Sequence, residues 1–294
     1  AGEDISFAAN APDMTQIDFL KSIVAMHNCV LIPDRNVPKK LSIIPIVEYL
    51  ASGAEKDWTG KLDQDKDVVL SPTTEYQKRF LNFTYKAGSD VASSVYTKLG
   101  RIYGDYQVTG YTINSADVPN EFAQGDLKTD IAFVSTPSVE INGTNIPIPK
   151  FVNEAGDFQN PGPRILYDAG SYDIALYDDD TLAGVVSTVR ILSNYSNINP
   201  QVQHFDLNFA PEVPLYYVQG QPYNNLFNLY HREYLDEIYS PDARIFDAYF
   251  YLTLTDIIQF RFNDQIFIID AWYRILEIFD YIVGDDQPTK VRLI

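Results

Sequence analysis

The chain is 294 residues long with 46% hydrophobic content, which supplies a core for one large β domain or two ordinary ones and excludes a disordered polypeptide. Its 40 acidic and 22 basic residues leave a formal charge of −18, so the molecule repels phosphate backbones and sequence-specific nucleic-acid binding is not expected. A lone cysteine, Cys29, rules out an internal disulfide, and no stretch reaches the roughly 18 consecutive apolar residues of a membrane-crossing helix.

The start, Ala1-Gly2-Glu3-Asp4, has neither the basic region nor the apolar run of a signal peptide, so a soluble chain is expected. The aromatic content, 21 Tyr and 17 Phe against 2 Trp and 2 Met, favours pleated surfaces and predicts more strand than helix. The first element follows Thr15, which pairs with Asp18 in a capping-box pattern before the helically spaced Ile17, Leu20 and Val24. Cys29 to Ile32 and Leu41 to Ile44 read as two strands joined by a Pro-containing turn. A polar connection, Asp57 to Asp63, leads into strands at Val68 to Leu70 and Phe80 to Tyr85. Ser89 and Asp90 open a helix carrying Val91, Val95 and Leu99, and Gly100 is placed to end it.

From Tyr103 to Asn160 the chain reads as loops and hairpins. Within it, Val139 to Ile141 and Ile146 to Ile148 flank Asn142-Gly143, a pair suited to a tight hairpin turn, and Pro147 and Pro149 make the second arm an edge strand. Ile165 to Tyr167, Tyr172 to Tyr177, Val185 to Leu192 and Val202 to Phe209 are further strand candidates. Asn224 or Asn225 caps a helix over 224–239 that Ser240-Pro241 terminates. Strands at Arg244 to Leu252, Ile266 to Ile269, Trp272 to Tyr281 and Thr289 to Leu293 follow, with one short helical turn at Leu254 to Ile258. The expected fold is α+β and β-rich: antiparallel sheets and partly closed barrels with three short-to-medium helices, divided into domains 1–163 and 164–294. Residue 1 is not Met and the last strand stops at Ile294 without a polar tail, so a processed chain, or part of something longer, is expected.

Chemistry-bearing patterns are sparse. The three histidines, His27, His204 and His231, form no His-Glu-x-x-His pattern, and each is expected to be structural. Cys29 lies two residues after His27, but the following Val30-Leu31-Ile32 is the setting of an inert buried thiol. Neither glycine-rich phosphate loop is present. Asp178-Asp179-Asp180 lacks the alternating spacing of a calcium loop and reads as a solvated turn, as does Asp285-Asp286. The glycosylation-type triplets at Asn82, Asn142 and Asn194 carry no weight at this composition. A pair of distant carboxylates for glycoside hydrolysis would leave no local signature and stays open. No catalytic, cofactor-binding or metal-ligating residue is assigned.

Three stretches resemble structural proteins of tailed-bacteriophage tails related to baseplate hub proteins. The first is Gln16-Ile17-Asp18-Phe19-Leu20-Lys21 with Leu41-Ser42-Ile43-Ile44-Pro45 and Lys56-Asp57-Trp58-Thr59-Gly60-Lys61-Leu62-Asp63. The second runs from Tyr239-Ser240-Pro241-Asp242-Ala243-Arg244 through Tyr249 to Thr253 and on to Asp256-Ile257. The third comprises Ile266-Phe267-Ile268, Tyr273-Arg274-Ile275, Asp280-Tyr281 and Thr289-Lys290-Val291. The resemblance implies a non-enzymatic subunit without cofactors, containing a β-barrel and assembling as a homo-oligomeric ring, with a trimer favoured. Such a ring joins tail tube to tip, contacts other phage tail proteins, and belongs to the virion after a soluble phase in the host cytoplasm. With a charge of −18, an acidic channel wall that lets a genome pass without sticking is expected. The competing expectations are a glycan-binding or glycan-cleaving tail-tip or surface protein and a bacterial tail-like injection apparatus.

Overall fold

The computed structural model describes residues 13–111, 122–140, 147–157, 162–178, 181–197, 205–212 and 224–294. The expected α+β, β-rich class is what it shows, with several antiparallel or mixed sheets. Helix α1 (Gln16–Met26) is followed by β1 (Cys29–Pro33), β2 (Leu41–Pro45), α2 (Ile46–Ala51), β3 (Glu55–Asp57) and β4 (Val69–Pro72). Next come β5 (Phe80–Phe83), α3 (Val91–Lys98), β6 (Tyr106–Thr109), β7 (Asp126–Lys128), β8 (Ser138–Glu140) and β9 (Pro147–Pro149). The long strands β10 (Tyr167–Asp178) and β11 (Thr181–Ser193) precede a π-helical turn, Phe227–His231, that runs into α4 (Arg232–Tyr239). The remaining elements are β12 (Arg244–Phe250), α5 (Leu254–Gln259), β13 (Gln265–Ile268), β14 (Ala271–Ile278) and β15 (Thr289–Leu293).

The predicted caps form. Thr15 accepts from the Asp18 amide at 3.1 Å and donates to its carboxylate at 2.7 Å, while Asp90 caps α3 through the Ser93 amide at 2.9 Å. Asn225 Oδ1 accepts from the Asn228 amide at 2.8 Å, and Ser240 ends α4. Helix α2 was not predicted, because it follows Pro45 without a side-chain cap and spans six residues. Strand β3 was missed for a different reason: Glu55-Lys56-Asp57 shows no apolar alternation, and it pairs in parallel with β13. Strands β8 and β9 pair antiparallel as the two arms of the expected hairpin, whereas Asn142-Gly143 lies outside the described residues. The candidate strand Val202 to Phe209 begins outside them and contributes bridges at Phe205 and Asp206.

Where a single boundary between 163 and 164 was expected, the chain passes back and forth between two compact units. The first takes the described residues within Ala1–His27, Leu81–Val108 and Leu127–Leu229; the second takes those within Asn28–Phe80, Thr109–Asp126 and Tyr230–Ile294. The physical reason lies in strand pairing: β3 and β4, from the first quarter of the chain, hydrogen-bond to strands from its last quarter.

In the second unit the strand order is β3-β13-β14-β15-β12-β4. This sheet ends on β3 and β4 and does not close, so open sheets stand where partly closed barrels were expected. Alternation along β12 turns Phe246, Ala248 and Phe250 into a core with Trp58, Ile266, Ile268, Ile275, Val291 and Leu293. Trp58 lies 5.5 Å from Phe250 between ring centroids, and its amide donates to Phe267 O at 2.9 Å. The turn after Trp58 is stitched to β12 by Asp63 N to Tyr249 O and Tyr251 N to Lys61 O, both 2.8 Å. Lys61 Nζ pairs at 2.6 Å with Asp256, the acid that also completes the capping box of α5 with Thr253. Gly53 permits the close approach of the preceding turn: a Cβ there would fall on the backbone carbonyl of Asn263.

In the first unit an aromatic cluster does the equivalent work. Phe83 packs on Phe209 and Phe227 at 5.8 and 5.3 Å, and Tyr106 stacks on Phe227 at 4.0 Å. Arg164 pairs with Asp90 at 2.5 Å and donates to Ser135 O, both partners buried, so a single cation joins the α3 cap to the strand region. Truncating Trp58 to Ala removes the largest side chain of the second core; a loss of about 3–5 kcal/mol is expected in urea unfolding of the intact protein. A loss under about 1 kcal/mol would mean that this indole is not seated in the core.

Candidate functional site

Strand β4 pairs with β12 on one side, Leu70 opposite Phe246 and Val69 opposite Asp247, and is the outermost strand of its sheet. Phe246 is buried against Tyr273 at 5.0 Å between centroids, yet its neighbour Leu70 is 62% exposed and Val69 on the other face is 52% exposed. The core face therefore runs off the end of the sheet at Leu70. Natural edge strands are usually blunted by Lys, Pro or an inward charge. Here Pro72 closes the strand after Ser71, but its first half, Val69-Leu70, is apolar. Away from this edge, the tip of the β13–β14 hairpin exposes Ile269 and Trp272. Ile269 has φ of +60°, an uncommon conformation for a β-branched residue, and its amide donates to Thr59 Oγ1 at 2.9 Å.

Beside β4, on the face away from Trp58, a polar groove of about 440 Å³ is lined by Asp65, Lys66, Asp67, Asp247, Tyr249 and Lys290. Arg292 clamps Asp247 with two bonds of 2.8 and 2.9 Å, and Lys290 approaches it at 3.4 Å. The Arg292 guanidinium thereby holds the Asp247 carboxyl below the usual carboxylate range. Lys66 sits 4.4 Å over the Tyr249 ring. An ionised Asp247 suits a charge-reading surface, or a base; it is not a proton donor at neutral pH.

The residues singled out by type are not among those of this edge. His27 caps α1, its Nδ1 3.1 Å from Ile23 O, and His231 is buried at the end of the π-helical turn. Cys29 lies in β1, where burial first and Glu48 second push its thiol upward, away from the thiolate form. Asp178 ends β10 and Thr181 begins β11; Asp179, Asp180 and His204 lie outside the described residues, as does Asn142. Asn194 is buried and donates to Thr136 O, a position unsuited to carrying a glycan. Asp285 accepts from the Gln287 amide at 3.1 Å in an exposed turn. Among the described residues no group of three or more His, Cys, Asp or Glu is placed to hold a metal ion, and no helix is long and apolar enough to cross a membrane.

A buried acid in the first unit was missed. In Phe205-Asp206-Leu207-Asn208-Phe209 the alternation assigns Asp206 and Asn208 to a solvent face, but Leu207 and Phe209 are buried on one side and Asp206, 1% exposed, and Asn208 on the other. Asp206 Oδ1 accepts from the Asn208 amide at 2.9 Å, whereas Asp206 Oδ2, Tyr103 OH and Asn208 Nδ2 are buried without a partner among the described residues. Tyr85 donates to Leu207 O and Tyr195 to Glu212 O, so these two phenols bond to backbone. Gly104, φ +76°, lets the chain pass against the Asn208 side chain. Burial pushes the Asp206 carboxyl up to about 7, against the bond from the Asn208 amide, and burial also pushes Tyr103 upward.

Comparison with family models, curated protein sequences and solved structures found no match.

Because the folded carboxyl near pH 7 binds its proton more tightly than an unfolded aspartate near 3.9, the native state holds more protons between about pH 4 and 7, and stability falls as pH rises through that window. The expected decline, on the order of 4 kcal/mol for the full shift, is complete above the folded value. Asp206→Asn is expected to flatten it and to melt at higher temperature than the parent at pH 8, in calorimetry from pH 4 to 8. Parallel curves for the two proteins would show that another group titrates.

Proposed function

We propose that this chain is a non-enzymatic structural subunit of a bacteriophage tail, of the hub or baseplate kind, and that it self-associates through the ends of its six-stranded sheet. The observation that carries the reading is Leu70, whose exposure beside buried Phe246 leaves the core face unfinished at a strand edge. A strand added there continues the ladder and covers Val69 and Leu70 together. The far edge differs in kind, since β3 is Glu55-Lys56-Asp57. Two unlike edges favour a head-to-tail contact, which closes into a ring when the rotation permits. A trimeric ring joining tube to tip, within the virion, follows from the hub resemblance.

The resemblance itself rests on residues with structural duties. Trp58 is core, Lys61 pairs with Asp256, Tyr249 and Tyr251 receive the 58–63 turn, and β13 to β15 frame the sheet. Such positions fit a scaffold role, in which shape and contact are the product. The glycan-binding reading draws on one feature, the groove bearing Asp65, Asp67 and Tyr249, where an aromatic face and carboxylates could meet a sugar.

Mass photometry and negative-stain imaging of the purified protein separate the two. Rings with a central channel are expected for the parent, and Leu70→Lys is expected to disperse them to monomers at micromolar concentration while leaving the circular dichroism spectrum intact. A monomeric parent that binds or cleaves an oligosaccharide would sink the scaffold reading.

A further inference from the structure

On the face of the second unit's sheet turned away from Trp58, helices α2 and α4 leave a cavity of about 240 Å³. Its wall is almost wholly apolar, formed by Ile46, Leu50, Tyr234, Ile238, Phe262 and Leu276. Phe262 and the nearby Tyr76 are among the exposed residues of the unit, which places the mouth of the cavity at the surface. An engineered apolar cavity of about 150 Å³ holds one benzene ring, so this volume suits a molecule of about two fused rings. A void of that size lined by carbon forfeits dispersion contacts that well-packed interiors retain.

The charged part of the wall is the pair Arg274 and Glu237. Arg274 Nε donates to Glu237 Oε1 at 2.6 Å and its Nη1 reaches Leu50 O at 3.4 Å, while Nη2 has no protein partner among the described residues. The pair is electrically neutral, so it presents a directed donor with no net charge to balance. That combination disfavours ions, and the open hydrogen-bonding capacity of Nη2 favours a ligand with an acceptor atom over a pure hydrocarbon.

We propose that this cavity is a binding site for a small uncharged aromatic molecule of about two fused rings, bearing an acceptor atom that meets Arg274 Nη2. The site lies apart from the β4 edge and does not depend on ring assembly. Its apolar body supplies affinity, and the arginine donor fixes orientation.

The test titrates the intact protein with 1-naphthol and with naphthalene, followed by calorimetry and by the methyl resonances of Ile46, Leu50 and Leu276. Saturable one-to-one binding is expected, with 1-naphthol preferred by about tenfold, the ratio one hydrogen bond supplies. Leu276→Trp, which fills the space, is expected to abolish binding, and Ile46→Phe serves the same purpose if the first variant does not fold. Arg274→Leu is expected to erase the preference between the two probes. No saturable binding by the parent, or binding indifferent to both filling variants, overturns the proposal. Binding by Leu70→Lys monomers but not by the assembled protein also overturns it, since the cavity would then belong to a neighbouring copy.

Discussion

The insertion of Trp58 beneath the C-terminal strands is the constraint on which the second unit depends. An indole at residue 58 reaches a core built from residues 246–293 because β3 pairs in parallel with β13 and β4 pairs with β12. Two early strands thus become the two ends of one sheet. The Lys61–Asp256 pair and the carbonyl contacts of Lys61 and Tyr249 lock that turn in place. Such long-range closure costs chain entropy that local elements do not, so the apolar burial around Trp58 must offset it.

The same topology creates the candidate interface. A parallel strand of polar residues terminates one end of the sheet and an apolar strand terminates the other. Because β4 is outermost, the core-facing position taken by Leu70 has a neighbour on one side and solvent on the other. The charges that would blunt such an edge are instead gathered in the adjoining groove, where Asp247, Lys290 and Arg292 largely neutralise one another. An edge left apolar next to a satisfied polar network is what the proposed self-association would cover.

The first unit solves its packing differently. Tyr85, Tyr103 and Tyr195 lie about a carboxyl with no ion pair among the described residues, and Tyr85 and Tyr195 donate to backbone carbonyls. A neutral acid is the form that such surroundings accommodate, since burial penalises the charged one. Stability of this unit is therefore tied to proton uptake at Asp206 in a way that no exposed carboxylate would produce.

Local signals in the sequence were sufficient for the elements whose cause is local. Thr15 with Asp18, Asp90 before Val91, and Ser240-Pro241 mark helix boundaries through hydrogen bonds made within a few residues, and the strands at 244–250, 271–278 and 289–293 announce themselves by density of β-branched and aromatic side chains. The β-rich α+β class was legible for the same reason. Partnership was not: the sequence of β3 carries no alternation, the exposure of Leu70 depends on which strand ends the sheet, and the burial of Asp206 depends on a second wall supplied by distant residues. Composition and periodicity describe one segment at a time, whereas an edge, a cavity or a buried acid exists only once remote segments have met, and that meeting was decided by tertiary packing.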